Sequence, residues 1–257
     1  MGEAVFPRHV ATALGGLVTV AVAALLPYPR RKDMGTNRRK DMGTNQGPFD
    51  PNVLPDNPAL PRDPSQRAFI LKIAPLARKV QVLTGIPASV GIAQAIHETG
   101  WGTSGMYRDL KNLYGFKTEG RCDGSDRSDG TKPLEVPWTS QYRPVNEPCP
   151  YFRKYASEYD SILDWALRFY RCALYSCPYK GKPDLVVLHA LSYRQNWLAF
   201  LNAGALHSYN PLPGDPESRQ YTEKIINLIR SYQLYRYDVP VQYWKLREDV
   251  SKVVPVA

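Results

Sequence analysis

The chain has 257 residues, with 33 lysines and arginines against 24 acidic residues, a net charge of +9 and a pI near 9.3. This basic balance predicts an anionic partner. The sequence contains no zinc-finger spacing, no aromatic RNA-binding motif and no phosphate-binding glycine loop, so nucleic acid is not favoured as that partner. The length suits one domain of ordinary size behind a non-globular N-terminal part.

The first 26 residues are dominated by an apolar run from Val10 to Leu26. Its length fits the core of a signal peptide and is close to the shortest membrane span, and Ala21-Val22-Ala23 resembles a cleavage site. Residues 1–26 are therefore predicted to be a signal peptide or a membrane anchor, and the sequence leaves open which. The basic residues that follow oppose export by the positive-inside tendency.

Residues 27–62 are predicted to be a basic, proline-rich tether. The eight residues from Arg30 to Asn37 are repeated unchanged from Arg38 to Asn45, and two such copies are too few for a solenoid. The end of the segment is rich in Pro, Asn and Asp, which is typical of a linker. A solvated linker is the favoured interpretation, and contact of its basic residues with an anionic surface is the alternative.

Residues 63–240 are predicted to form a mainly helical domain, and residues 241–257 a C-terminal tail. The first helix is expected to begin at Asp63 and to be kinked by Pro75. A later helix begins at Ser157, which forms a capping-box pattern with Asp160. Two further helices are expected near Asp184 to Tyr193 and from Asp215-Pro216 onward. The predicted buried stripe of the first helix is Phe69, Ile70, Ile73, Ala77 and Val80. That of the helix after Ser157 is Ile162, Trp165, Ala166 and Phe169, and that of the last helix is Tyr221, Ile225, Leu228, Ile229 and Tyr232.

The second helix ends in a lone carboxylate, Glu98, followed by the turn Gly100-Trp101-Gly102. Pro87 suits its first turn and Gly100 its end, and its buried stripe is predicted to be Ala88, Ile92, Ala95, Ile96 and Thr99. The negative end of a helix dipole and a nearby apolar wall both disfavour an anion there. The pKa of Glu98 is therefore expected to lie above its usual value, as a general acid requires.

About sixty residues rich in Gly, Pro, Ser and Asp separate the second and third predicted helices, and 134–152 can hold a short hairpin. Cysteines stand at 122, 149, 172 and 177 without a C-x-x-C pair, so no zinc site is predicted. Three pairings are possible, and Cys122 with Cys149 and Cys172 with Cys177 are favoured because each pair brackets one local loop. Reduced, buried cysteines are the alternative.

Several separated segments of the chain form a recognisable set. They are Phe69–Pro75, Gly85–Val90, Ile92–Gly102, Asn112–Lys117, Tyr151–Ser157, Tyr221–Ile226 and Ser231–Asp238. Together they resemble one family, the glucosaminidases among bacterial peptidoglycan hydrolases, which include the FlgJ-type and autolysin-type endo-β-N-acetylglucosaminidases. The resemblance runs from about Asp63 to Asp238. It implies an α+β, lysozyme-like domain with a groove between its helical part and a small irregular or β-hairpin lobe.

The resemblance places Glu98 at the family's catalytic glutamate, with the role of general acid. Glycoside hydrolysis usually needs a second carboxyl group. The family carries a glutamate in a Thr-x-Glu-Tyr-like segment, but the nearest match here has Gln141, which cannot act as a base. Glu135 is the favoured replacement, and the other acids of the same lobe that can serve are Asp126, Asp129 and Glu147.

A second route needs no further carboxylate, because the substrate's own N-acetyl group can attack the anomeric carbon. This route requires a residue that polarises the acetamide. Relatives place a tyrosine after an Ala-Gly pair near the C-terminus, and Tyr209 is the candidate after Ala203-Gly204. Substrate assistance is slightly favoured, because the position that matches the family lacks its carboxylate.

Sugar contacts are predicted among aromatic and amide side chains, with a core position as the alternative for each aromatic residue. Asn112 is also expected to order its turn, and His97 to be structural. The predicted substrate-binding residues are Trp101, Asn112, Tyr114, Phe116, Trp138 and Gln141, and Trp197 is a further aromatic candidate.

The resulting prediction is an exported endo-β-N-acetylglucosaminidase that cleaves peptidoglycan glycan strands. The alternatives are a lytic transglycosylase or muramidase on the same fold, and a catalytically weak wall-binding module. No cofactor and no metal are expected. The expected partners are glycan strands and, through the basic N-terminal segment, a bacterial wall or membrane surface. A monomer is expected, located outside the cytoplasm and either secreted or anchored.

Overall fold

A computed structural model describes residues 49–118, 122–144, 149–175, 182–209 and 216–253. They confirm a mainly helical α+β fold with a small antiparallel sheet. Residues 1–26 and most of the predicted tether lie outside the described ranges, within which no helix is long and apolar enough to cross a membrane. The elements are α1 (Pro64–Thr84), α2 (Ala88–Thr99), α3 (Gly105–Leu110), β1 (Arg127–Asp129), β2 (Pro137–Tyr142), β3 (Tyr151–Lys154), α4 (Glu158–Leu174), α5 (Leu185–Leu191), α6 (Trp197–Asn202), α7 (Pro216–Ser231) and α8 (Glu248–Ser251).

The predicted helix starts are confirmed where the capping residues are described. The Asp63 carboxylate accepts hydrogen bonds from the first backbone amides of α1, which satisfies donors that have no partner inside the helix. Ser157 and Asp160 form the reciprocal capping box of α4. Pro75 lies inside α1 without ending it. The short helices α3 and α6 were not predicted, because six residues show too little periodicity to stand out.

Helix α2 lies at the centre of the helical part. All of its residues except His97 and Glu98 are buried, and they belong to the core shared with α1 and α4. Burial on every side is expected for a helix in a central position. Close packing is visible at Gly91, where an added Cβ atom would lie 3.0 Å from the ring of Trp165 on α4.

A distant carboxylate caps the start of α2. Pro87 precedes the helix and forms no side-chain capping bond. Asp238 replaces it, accepting hydrogen bonds from the Ser89 backbone amide at 2.8 Å and from the Ser89 hydroxyl at 2.9 Å. A negative charge at this helix end is favoured by the helix dipole. Burial nevertheless dominates and raises the pKa of Asp238 to about 7.

The sheet has the order β1-β2-β3 with antiparallel neighbours, and Thr139 of β2 pairs with Arg127 and with Lys154. The hairpin predicted within 134–152 is confirmed as β2 and β3. A disulfide joins Cys122 to Cys149, with a Cα–Cα distance of 5.2 Å. Cys172 is also disulfide-bonded, and since Cys177 lies outside the described residues, its pairing stays a prediction.

Asp164 of α4 fastens the sheet to the helices. Its buried carboxylate accepts hydrogen bonds from Arg153 of β3 at 2.6 Å and from Arg171 at 2.7 Å, and a third from the Tyr155 hydroxyl. Burial alone would raise its pKa, but the two arginines outweigh burial and lower the pKa to about 2. Removing either arginine would leave a charge buried without its full set of partners, which is strongly destabilising.

Both flanks of the predicted domain pack against it. The Arg78 guanidinium of α1 lies over the Phe49 ring, 5.1 Å from its centroid, and the Asn57 amide donates to the Tyr232 carbonyl. The Lys245 amide donates to a carbonyl of α1, and Val250 is fully buried. The domain bounds 63–240 stay a prediction, and these contacts extend the packed chain on either side of them.

The raised pKa of Asp238 predicts a pH-dependent stability. A carboxyl group whose pKa is higher in the folded state contributes stability that is complete below its unfolded value, near 3.8, and is lost as the pH rises through about 7. Asp238→Asn removes this titration. We expect the melting temperature of wild type minus that of the variant to decrease as the pH is raised from 4.5 to 8 in thermal unfolding experiments.

Glu223→Gln serves as the control, since this acid on α7 is exposed to solvent. Its difference from wild type should stay constant over the same pH range. An Asp238→Asn difference that grows with pH would contradict the assignment.

Candidate active site

The turn after Glu98 is built from three successive residues with left-handed backbone. Gly100, Trp101 and Gly102 have φ values of 55°, 64° and 79°. An added Cβ atom at Gly102 would lie 2.5 Å from the Phe69 ring, so only glycine fits there. Trp101 adopts a conformation that is uncommon for a bulky residue. The turn reverses the chain directly behind Glu98, and this explains the Gly-Trp-Gly pattern.

Glu98 emerges from the last turn of α2 into solvent. The buried stripe predicted for this helix is confirmed, since Ala88, Ile92, Ala95, Ile96 and Thr99 are all buried. The Glu98 side chain itself is exposed, so the buried stripe lies beside it and does not cover it. Its Oε1 accepts a hydrogen bond of 2.6 Å from the hydroxyl of Tyr221 on α7.

Tyr221 is the hub of the groups around Glu98. Its hydroxyl accepts a hydrogen bond from the Gln94 side-chain amide at 2.9 Å, and its ring meets the His97 ring edge-on with centroids 5.3 Å apart. The Tyr209 ring is stacked parallel to it at 6.3 Å. Burial, followed by the nearby Glu98, raises the pKa of Tyr221 well above its usual value. The phenol is therefore a neutral hydrogen-bond donor at physiological pH.

A buried layer lies behind Tyr221 and includes several predicted site residues. The Tyr209 hydroxyl donates to the Tyr114 carbonyl at 3.1 Å. Tyr114 stacks on Trp165, and Asn112 holds its turn through bonds to the amide and carbonyl of Phe116. Asn112, Tyr114 and Phe116 are almost fully buried. Direct contact with a sugar is therefore not open to these three side chains in this structure, because they fill the core.

The other predicted sugar contacts are partly or fully exposed. Trp101 is half-buried and meets Tyr232 edge-on, and Trp197 lies parallel to Tyr235. The Arg153 guanidinium lies over the ring of Trp138 on β2, 4.6 Å from the ring centroid. Gln141 is exposed on the same strand, paired in register with Phe152.

Glu135 lies in the sheet lobe, in a polar cavity of about 350 Å³. Its Oε2 accepts a hydrogen bond from the Ser128 hydroxyl at 3.1 Å. Asp126, Asp129 and Trp138 line the same cavity, whereas Glu98 and its neighbours Tyr221 and Tyr209 do not. The structure therefore brings Glu98 together with tyrosines and Glu135 together with other acids. Glu147 lies outside the described residues.

Sequence reasoning missed two residues near Glu98. Tyr221 donates directly to the Glu98 carboxyl group, and Gln94 donates to the Tyr221 hydroxyl. Tyr221 falls on the apolar stripe of α7 and was interpreted as core. Gln94 stands four residues before Glu98, a spacing that puts both side chains on one face of α2. That spacing was the available signal. Within the described ranges, no cluster of His, Cys, Asp and Glu side chains is arranged to hold a metal ion.

The family described as mannosyl-glycoprotein endo-beta-N-acetylglucosaminidase matches residues 74–234. An autolysin of Enterococcus faecalis is 30% identical over 71% of this chain, and the exo-glucosaminidase LytG of Bacillus subtilis is 29% identical over 67%. The matched region spans 22% and 54% of those two proteins.

Among solved structures, the catalytic domain of the autolysin Auto from Listeria monocytogenes is similar, with 23% identity, coverage of 69% of this chain and 90% of that one, and a TM-score of 0.42. The family match includes Glu98, Tyr221 and Gln94 and covers more than half of the chain. The chain belongs to the glucosaminidase family.

Proposed function

We propose that the protein is a peptidoglycan hydrolase that cleaves the glycan strand at N-acetylglucosamine, with Glu98 as general acid. Membership of the glucosaminidase family and the similarity to an autolysin and an exo-glucosaminidase support the substrate class and the reaction. Action on the wall implies a location outside the cytoplasm, and the apolar N-terminal run supports export.

One observation carries the assignment of Glu98: an exposed carboxyl group stands at the end of a buried helix and receives a short hydrogen bond from Tyr221. The rigid helix fixes the position of the carboxyl group. Because Tyr221 donates to Oε1, the acidic proton is carried by Oε2, which is the oxygen left for the glycosidic bond. After proton transfer the same donor stabilises the carboxylate.

For the second catalytic group we propose the substrate's own acetamide. Glu135 is engaged with Ser128 in a cavity that Glu98 does not line, so the two carboxyl groups have different surroundings. Gln141 supplies no carboxylate. Tyr209 is half-buried and its hydroxyl donates to the Tyr114 carbonyl, so we assign it the role of supporting the Tyr221 ring.

A lytic transglycosylase is the second candidate, because that reaction also uses a single glutamate, and Glu98 is here without an adjacent acid among the described residues. Mass spectrometry of wall digests separates the two reactions. A reducing N-acetylglucosamine end supports the glucosaminidase, and an anhydro-muramyl end supports the transglycosylase.

Glu98→Gln is expected to abolish wall hydrolysis. The amide keeps the shape of the side chain but cannot deliver a proton, and general acid catalysis supplies a factor of roughly 10² to 10⁴. The exposed position leaves the fold unchanged, which thermal unfolding can check. Turbidity clearing of wall suspensions measures the loss, and activity within about threefold of wild type would remove Glu98 from the mechanism.

Replacing the substrate's N-acetyl group with a free amine is expected to stop the reaction, because an ammonium group cannot form the cyclic intermediate. Glu135→Gln should then be mild, with a loss well under the roughly hundredfold that a true base would cost. Product of retained anomeric configuration, measured by NMR, is the third expectation. A large loss at Glu135 together with inverted product would instead identify Glu135 as the base.

A further inference from the structure

A chain of three hydrogen bonds connects the core to the proposed acid. The indole N–H of Trp165 donates to Oε1 of Gln94 at 2.8 Å, and the Gln94 amide nitrogen donates to the Tyr221 hydroxyl at 2.9 Å. The Tyr221 hydroxyl then donates to Glu98 at 2.6 Å. Both Trp165 and Gln94 are buried, so no water competes for these groups.

The chain has only one possible direction. An indole N–H is a donor and never an acceptor, so it must face the oxygen of the Gln94 amide. The amide nitrogen is thereby turned toward Tyr221 as a donor. A hydroxyl that already accepts this bond has its own proton free for another acceptor, and Glu98 is the acceptor in reach. Trp165 thus determines, two bonds away, which way the tyrosine proton points.

We propose that Gln94 is a positioning residue whose amide, oriented by Trp165, aims the hydroxyl proton of Tyr221 at Oε1 of Glu98. The inference rests on the proposed function, in which Glu98 is the acid. Its consequence is that Oε1 is permanently occupied by a donor and the acidic proton belongs to Oε2. Bonds in such a chain polarise one another, so the end bond is stronger than an isolated one.

The other groups that face Tyr221 do not redirect its hydroxyl proton away from Glu98. His97 meets its ring edge-on, and the Tyr209 hydroxyl is already donated to the Tyr114 carbonyl. The raised pKa of Tyr221 keeps its proton on the phenol. Among the described residues, Glu98 and Gln94 are therefore the hydrogen-bond partners of the Tyr221 hydroxyl.

A purely structural role for Gln94 is the competing explanation, since every buried amide needs partners. The chain offers a matched control in Gln81 of α1. Its side chain is equally buried, and its amide bonds to the Ala88 and Val239 amides and to the Val239 carbonyl, away from Glu98. A change that acts only by disturbing a buried amide should have the same effect at both positions.

The test compares Gln94→Glu with Gln81→Glu in the full chain. A glutamate at position 94 still accepts from Trp165 but also accepts from Tyr221, which draws the tyrosine proton away from Glu98. We expect Gln94→Glu to lower kcat/KM on wall glycan about tenfold, within the range for coupled hydrogen-bond partners. Gln81→Glu should stay within about twofold although it is destabilised too.

The glutamate also introduces a negative charge near Glu98. The effect of this charge is separated from the effect on the hydrogen-bond chain by repeating the substitution in a Tyr221→Phe background, where no hydroxyl remains to be redirected. There Gln94→Glu should cost less than about threefold. Gln94→Met, which is neutral and of similar size, covers the case in which Gln94→Glu does not fold, and its loss should likewise shrink in the Phe background. Equal losses in both backgrounds would overturn the proposal.

An activity-independent measurement uses NMR of the Glu98 side-chain carboxyl carbon. In Gln94→Glu the midpoint of its pH titration should move to higher pH, and it should move less when Tyr221 is Phe. An unchanged midpoint in folded Gln94→Glu would also overturn the proposed positioning role of Gln94. If the wild type cleaves no wall glycan, the proposed function fails, while this titration still decides whether Gln94 orients Tyr221.

Discussion

A helix that is buried on every side can present only its ends to solvent, and this constraint determines the site. Helix α2 is enclosed by the core along its length, so its last turn is where a functional group can emerge rigidly. The enclosure depends on small residues. Gly91 lets the Trp165 ring approach so closely that a methyl group there would touch it. The same approach brings the indole N–H to Gln94, so the packing that buries the helix also orients the polar chain leading to Glu98.

The sheet lobe is held to the helices by a buried ionic network. Its strands are short and partly exposed, and burial alone would hold them weakly. Asp164 compensates with a buried ionic network that joins β3 to α4 and continues through Arg171 to the Leu134 carbonyl. Such a network fixes geometry because breaking it leaves a buried charge without partners. The lobe can therefore hold the Trp138 face and the Glu135 cavity in place despite its small core, with the Cys122–Cys149 disulfide as a covalent addition.

Local signals made much of this fold predictable. Asp63, Ser157 and Gly100 mark helix ends through contacts with residues nearby in sequence, and the motif around Glu98 predicted the proposed acid. The remaining site depends on long-range packing. Tyr221 lies 123 residues from Glu98, and its place on an apolar stripe concealed a hydroxyl aimed at the acid. Tyr114 stands in irregular sequence, which left sugar binding and a core position both open; it is buried, because a loop without regular structure can still have its side chains in the core. The capping of α2 by Asp238 likewise has no local signal, because donor and acceptor meet only after folding.

Three carboxyl groups differ in ways that separate two structural acids from the proposed catalytic one. Asp164 is ionised because two arginines outweigh its burial, and its pKa is lowered to about 2. Asp238 has hydrogen-bond donors in Ser89 but is governed by burial, which raises its pKa to about 7. Glu98 has neither enclosure nor, among the described residues, an arginine or lysine partner. Its described contact is a neutral phenol, which can donate to the carboxylate without pinning it in the charged state as a cation would. The proposed acid must alternate between protonated and ionised forms in each turnover and needs a partner of this kind, and in the proposed arrangement the Trp165–Gln94 pair keeps that partner directed at Glu98.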